Sequence, residues 1–314
     1  MENWHGYLLD LLTKPNTSLA EAKKVRPLIT EHLPEKLYRH SRVDQYSLSN
    51  LKNNTVWMSS PISFNDPFDS AFRINMQQDI TGKVLDNLFS QGLLDQESLK
   101  KCGSSQSPLK RASLSIILND SSSEVDSTKA ADALSEAFNT AIQQVELRHI
   151  QELKDGLKVG CFGTNPFNSV MWSHYSNSHS GFCVEWPLSN LPSDNPLKNS
   201  IFPVIYTDEL LDMYPHVQRN SKGSSYNPAF LTAASLIKHT DWAYEQEWRI
   251  VFPMGKQEEE YAYPIPVSPT AIYLGLNIDK QNEVLIGEIA SYLNIPVRKL
   301  RISHEKFSLE IDDF

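Results

Sequence analysis

Between about residues 126 and 154 the chain places Ala130, Leu134, Phe138, Ala141, Val145 and Leu153 on one stripe at helical spacing, and Asp155-Gly156 stops the run. A helix of that length, with short β-patterned segments on both sides, narrows the choice of fold more than any other feature. The stretch around it, residues 80–155, is polar and helical, with a Ser-rich gap at Ser121-Ser122-Ser123. It reads as a helical insertion rather than as sheet. Ahead of it, residues 3–14 and 18–32 predict two helices, with cap chemistry from Asn16-Thr17-Ser18 and a stop at Pro34. Lys36–Ser41 predicts a strand. Ser47–Asn53 predicts a helical turn capped by Ser47, with Leu48 and Leu51 facing inward. Thr55–Ser59 predicts a second strand, rich in β formers.

After the insertion the pattern turns to β. Strands are expected at Leu157–Gly163, Gly181–Trp186, Ile201–Tyr206, Glu247–Phe252, Tyr261–Pro266, Ala271–Leu274 and Val297–Ile302. Helices are expected at Asn168–Tyr175, Ala229–Lys238 and Glu283–Leu293, with a polar loop over residues 208–228. Strand and helix do not alternate regularly, so a mixed, mostly antiparallel sheet fits better than repeated βαβ units. The expected class is α+β. Its parts are an N-terminal helical segment (1–35), the first half of the core (36–79), the helical insertion (80–155) and the second half of the core (156–314).

The chain has 314 residues, of which 40% are hydrophobic, enough to bury a core. Its net charge of −9 is not the footprint of a general nucleic-acid binder. The three cysteines, Cys102, Cys161 and Cys183, form no CxxC pair, which argues against a zinc cluster or disulfide framework and suits a reducing cytosol. The first residues lack a basic n-region and a long apolar h-region, and no run approaches the roughly 20 apolar residues of a membrane span. A cytoplasmic protein without membrane partners is expected.

Four segments can carry chemistry. In Tyr38-Arg39-His40, strand alternation sets Tyr38 and His40 on one face and Arg39 on the other. Arg39 then either forms an edge-strand salt bridge or offers a planar fork to a phosphate or carboxylate. Phe64-Asn65-Asp66-Pro67-Phe68-Asp69 reads either as an Asx-type turn or as oxygen ligands for a hard cation. Met171–Tyr175 groups Trp172, His174 and Tyr175, able to stack on a ring or to form an aromatic core helix. His174 and His179 are five apart, which is not the helical zinc-ligand spacing. In Tyr244–Arg249, alternation puts Glu245 and Glu247 on one face, where they repel unless a cation, a shared proton or a substrate intervenes; the alternative is a carboxylate paired with Arg249 or Lys238 on a solvated face.

The blocks LYRH, LKNNTVWMSSPISFNDPFD, VGCFGTNPFNSVMWSHYSNSHSGFCVEW and WAYEQEWRIVF together resemble the bacterial family known as domain of unknown function 2971, over roughly residues 36–255. The order of elements also resembles the ADP-ribosyltransferase fold. Those enzymes carry an arginine or histidine on the first core strand, a serine or aromatic on a second, and a glutamate, within Glu-x-Glu in one subclass, on a later strand. The corresponding residues here are Arg39 or His40, Ser59-Ser60, and Glu245-Gln246-Glu247. The subclass's Ser-Thr-Ser is absent.

That resemblance implies NAD as substrate, cleaved by transfer of ADP-ribose or by hydrolysis, in a bacterial toxin or phage-defence effector. Glu247 would offset charge on the ribose, Glu245 would orient an acceptor, and Arg39 would hold the diphosphate. His40, Ser59, Ser60, Trp172, His174 and Tyr175 would complete the nucleotide site. No metal is required. Partners would be the nucleotide, a protein or nucleic-acid acceptor, and a defence-system protein. Two other readings stand beside this one. One is a metal-dependent nuclease or hydrolase using Asp66, Asp69, His174 and Glu247. The other is a non-catalytic ligand-sensing or partner-binding module.

Overall fold

A computed structural model of the chain describes residues 3–14, 18–120, 124–217, 229–253 and 261–312. Two compact units emerge. Of the described residues, the first holds those within Met1–Phe72, Leu153–Leu211 and Arg219–Phe314, and the second those within Arg73–Glu152 and Asp212–Gln218. Asn16, Thr17 and the gap at Ser121–Ser123 lie outside the described residues, as does 218–228 of the expected loop. No helix among the described residues is long and apolar enough to cross a membrane.

The first unit opens with α1 (Asn3–Thr13) and α2 (Leu19–His32). Ser18 caps α2 in a reciprocal box with Glu21. Trp4 stacks on His32 at 4.1 Å and reaches Trp248 at 6.4 Å, while Arg26 lies over the Phe202 ring and donates to the Ile201 carbonyl. The N-terminal helices therefore pack against β6 and β10 of the three-stranded sheet, at Phe202 and Trp248. Strand β1 (Leu37–Ser41) leads to α3 (Gln45–Lys52), then β2 (Thr55–Met58). The cap of α3 is Asp44 rather than Ser47. The aspartate accepts the Ser47 backbone N–H at 2.8 Å and the Ser47 hydroxyl answers from the third helical position, so the helix starts earlier than a Ser47 cap predicts.

The second unit begins at Arg73, within β3 (Phe72–Arg73), and is mostly helical, with α4 (Gln77–Ser90), α5 (Gln96–Gly103), α6 (Pro108–Asp120) and most of α7 (Glu124–Asp155). Leu85, Leu94, Cys102 and Ala112 form its core. Helix α7 presents Ala131 and Ile142 inward, not the stripe that periodicity singled out. Leu134, Phe138 and Val145 are 45%, 36% and 38% exposed. The inward face also carries polar partners, since Asn139 accepts from Gln77 and Glu146 from the Met76 backbone N–H.

The chain returns to the first unit with β4 (Leu157–Phe162), α8 (Ser169–Tyr175), β5 (Phe182–Trp186), β6 (Ile201–Pro203) and β7 (Ile205–Tyr206). Beyond β8 (Leu211–Asp212) and α9 (Tyr214–Val217) come α10 (Ala229–Ala234), β9 (Ile237–Lys238), β10 (Trp248–Pro253) and β11 (Tyr261–Pro264). The unit closes with β12 (Ala271–Leu274), α11 (Lys280–Leu293), β13 (Val297–Ile302) and β14 (Leu309–Ile311). A five-stranded sheet runs β1-β5-β12-β13-β14, antiparallel except at β12-β13, and a three-stranded antiparallel sheet runs β4-β10-β6. The α+β class and the mostly antiparallel mixed sheet hold.

Two expected elements divide. Ile201–Tyr206 breaks at Val204, so that β6 pairs β10 while β7 pairs β9. The helix expected over Ala229–Lys238 stops at Ala234, because the β-branched Ile237 pairs in parallel with Ile205. That change from helix to strand aims Lys238 into the protein interior, where it is 4% exposed.

Candidate functional site

The two larger sheets meet at a bridge where the Tyr38 and Gly163 backbones exchange hydrogen bonds of 2.9 and 2.7 Å. A second bridge, Ser59 to Val159, ties the end of β2 to β4. Between these bridges Arg39 donates to the Cys161 carbonyl of β4 at 3.2 Å and to the Trp57 carbonyl of β2 at 3.4 Å. The guanidinium thus replaces ladder hydrogen bonds where three strands splay apart. No carboxylate among the described residues forms an ion pair with it. Burial pulls its pKa down, with Glu247 acting in the opposite direction. The edge-strand salt bridge considered from sequence is not what forms.

A cavity of about 380 Å³ opens at this point. Arg39, His40, Ser59, His174, Tyr175, Glu245 and Glu247 all line it, together with Asp69, Cys161 and Lys238. A larger cavity of about 740 Å³, bounded also by β2, α3 and β5, shares Arg39, His40, His174 and Tyr175 with the first. Of the residues assigned from sequence to a nucleotide site, Ser60 and Trp172 line neither. Ser60 donates to the Lys154 carbonyl and caps the short turn at Pro61–Ser63. Trp172 is fully buried in the core, with its indole N–H on the Pro166 carbonyl at 2.6 Å and its ring against His40 and Tyr273. Its apolar bulk and single satisfied donor make it a support for the site, not a surface of it.

Glu245 and Glu247 converge as their spacing suggests, by a different route. Glu245 ends a 3₁₀ turn (Thr240–Glu245), Gln246 adopts the left-handed conformation (φ 46°, ψ 51°), and Glu247 precedes β10. Lys238 bridges the two carboxylates, at 2.5 Å from Glu245 and 2.9 Å from Glu247. Glu245 also accepts from the Tyr175 hydroxyl at 2.6 Å. Glu247 accepts from Arg249 through both oxygens, at 2.8 and 3.0 Å. Arg249, wholly buried, turns its other edge to Asp69 in a two-pronged pair at 2.8 and 2.7 Å and donates to the Ser235 carbonyl at 2.6 Å.

Three carboxylates therefore surround two cations, and Arg39 is the further positive group on the cavity wall. Burial penalises the Glu247 anion, but Arg249 and Lys238 outweigh it and hold that carboxyl below the ordinary range. Burial raises Glu245, Lys238 opposes, and the Glu247 charge adds to the rise. Neighbouring carboxylates are thereby pushed apart in acidity, a pattern found in acid–base pairs. Burial and Glu247 keep Cys161 a thiol. His40 is buried, neither ring nitrogen makes a hydrogen bond, and burial lowers its pKa to about 4.

The four residues considered for a cation are placed differently. Asp69 and Glu247 are both held by Arg249, His174 shares a hydrogen bond with the Tyr244 hydroxyl, and Asp66 accepts the Phe68 backbone N–H, the Asx turn read as the alternative. Among the described residues no group of three or more His, Cys, Asp or Glu is placed to hold a metal ion. Asp69, Lys238 and Arg249 were not singled out as site residues by the leading sequence reading. The pairing of these carboxylates with Lys238 and Arg249 was the alternative read from the sequence, but it forms in the interior, with Lys238, Glu245, Glu247 and Arg249 all buried, and not on a solvated face.

No curated protein and no solved structure matches the chain. Residues 171–250 match the model of a family described as Protein of unknown function (DUF2971). The match is narrower than the stretch that the sequence blocks suggested, and it contains Tyr175, Lys238, Glu245, Glu247 and Arg249 but neither Arg39 nor Asp69. Over the segment that builds the carboxylate half of its cavity, the chain is similar to the family described as Protein of unknown function (DUF2971).

Proposed function

We propose that the paired cavities bind NAD and cleave its bond to nicotinamide, by ADP-ribosyl transfer or by hydrolysis. One observation carries the reading: a half-buried arginine, in no ion pair with a carboxylate among the described residues, lies on the wall common to two cavities, one of which is also lined by a carboxylate pair of split acidity. Arg39 would meet the diphosphate. Glu245 would take the ribose hydroxyl, since each of its oxygens has one partner and keeps a lone pair. Glu247, held at both oxygens, would fix Lys238 and thereby Glu245. In the reaction the bond from the ribose anomeric carbon to nicotinamide breaks, and the electron pair leaves with nicotinamide. Water or an acceptor nucleophile then bonds to that carbon and loses a proton. The Glu245 anion offsets the positive charge that develops on the ribose. His174 and Tyr175, on the shared wall, are the groups available to stack on a ring.

The test is release of nicotinamide from NAD, followed by chromatography, for wild type, Glu245→Gln and Arg39→Ala. Release by wild type that drops by roughly 100-fold in Glu245→Gln supports the reading. No release, with or without protein and nucleic-acid acceptors, removes it. A second reading draws on the number of partners already on Glu245 and Glu247: the same cavity would bind a nucleotide without turning it over. NAD or ADP binding by calorimetry with no nicotinamide release would select it. An effector role in toxin or phage defence follows from the first reading through loss of cellular NAD, and is tested by NAD levels and growth after induction of wild type and Glu245→Gln.

A further inference from the structure

The two cavities differ in what lines them. Glu245, Glu247 and Lys238 line the smaller one and not the larger. The larger one adds residues of β2, α3 and β5, and the two have Arg39 in common. Arg39 and Arg42 are the arginines on the larger wall. Arg42 is taken by Asp44 at 2.6 Å, so those two charges cancel. Arg39, in no ion pair among the described residues, is left as the uncompensated guanidinium, at the boundary between the cavities. An anionic group belongs at that boundary, and what extends from it into the larger cavity is uncharged.

The larger wall beyond Arg39 offers a ring and donors. Tyr46 and Asn50 are four apart on α3, so they share a helix face, and both line the larger cavity and not the smaller. The Thr55 hydroxyl donates to the Asn50 side-chain carbonyl at 2.8 Å, which fixes the amide. Its NH₂ donates to no group among the described residues and is available to an acceptor such as a ring nitrogen. Tyr46 is 65% exposed, so its ring is open to stacking. Ser41 lies two residues beyond Arg39 on the same strand face and also lines the larger cavity, which adds a hydroxyl beside the guanidinium.

A stacking surface, a donor for a ring nitrogen and one cation at the boundary are together the chemistry that receives a nucleoside 5′-phosphate. We propose that the larger cavity is the adenosine subsite, in which the purine stacks on Tyr46, Asn50 donates to a ring nitrogen, and the 5′-phosphate meets Arg39 and Ser41. The dinucleotide then has one polarity. Its nicotinamide ribose enters the smaller cavity, because the reverse orientation puts the scissile bond in a cavity that neither Glu245 nor Glu247 lines. The assignment rests on the nucleotide reading of the site, and adds to it the residues that hold the base.

The experiment is calorimetry of the full chain with ADP, for wild type, Tyr46→Ala, Asn50→Leu and Glu245→Gln, beside the assay of nicotinamide release from NAD. ADP should bind wild type. Tyr46→Ala and Asn50→Leu should each weaken it by roughly tenfold, and Glu245→Gln should leave its affinity within about twofold. Tyr46 is exposed, so Tyr46→Ala keeps the fold and decides the outcome if Asn50→Leu melts early. An ADP affinity that is unchanged in Tyr46→Ala, or that falls as far in Glu245→Gln, overturns the assignment. A wild type that releases nicotinamide but binds no ADP overturns it too, and leaves the cleavage reading standing. ADP binding that responds to Tyr46→Ala in a protein that releases no nicotinamide supports the adenosine subsite and removes the cleavage alone. Neither binding nor release removes both.

Discussion

Lys238 lies 2.5 Å from Glu245 and also donates to Glu247, so one ammonium sets the spacing of both carboxylates on the cavity wall. Burial disfavours its charge, yet Glu247, Asp69 and Glu245 together keep it protonated well above the ordinary lysine range. Lys238 is therefore a fixed cation rather than a base. Replacing it with Met removes the main group that opposes the rise of Glu245. The acid limb of nicotinamide release should then move to higher pH in Lys238→Met, measured as initial rate against pH. An unmoved limb would separate Glu245 from the reaction.

Asp69 and Arg249 form the deepest contact of the site. Asp69→Ala leaves the wholly buried guanidinium without its two-pronged partner. The expected loss is about 3–5 kcal/mol of stability in urea unfolding. Asp69→Asn, which keeps the shape and one acceptor, should lose less. Equal losses would show that the charge of Asp69 is not what matters.

Tyr175 acts on Glu245 through a single hydrogen bond of 2.6 Å. Tyr175→Phe should cost about 1.5–3 kcal/mol of stability, the range for a hydrogen bond to a charged group, and should lower nicotinamide release while leaving nucleotide affinity within a few-fold. A Phe variant with full activity would place the hydroxyl outside the chemistry.

His40 makes stability depend on pH. Its folded pKa, about 4, lies below the ordinary 6.5. Between those values the unfolded chain binds the proton more readily, so stability is complete above about pH 6.5 and falls as the pH drops towards 4. The shift corresponds to about 3 kcal/mol across that window. His40→Gln should flatten the fall, as read by thermal melts from pH 7 to pH 4. An unchanged slope would assign the acid sensitivity to other groups.

Gly181 tests the backbone that carries Tyr175. A Cβ added there would lie 2.1 Å from the Ser41 carbonyl oxygen, in the residue that ends β1. Gly181→Ala should therefore destabilise by about 1–3 kcal/mol or more, because two backbones and not a flexible side chain must part. Retained stability would mean that β1 and the segment after α8 can separate without cost.

Local chemistry determined a good deal of this protein directly from the sequence. The cap at Ser18, the short helix that ends at Tyr175, the β-branched and aromatic strands, and the length of α7 follow from interactions within a few residues, and so were legible. Arg39, Tyr175, Glu245 and Glu247 were also legible as chemistry, because residue type and spacing are local properties. Long-range packing decided the rest. Only the fold could bring Asp69 to Arg249 across 180 positions, or turn the expected end of a helix into the strand that aims Lys238. The left-handed Gln246, not strand alternation, points Glu245 and Glu247 at one lysine. Trp172 and the α7 stripe show the same limit from the other side. Periodicity identifies an apolar face, but which neighbour buries it, or leaves it open, depends on the surfaces that the rest of the chain brings there.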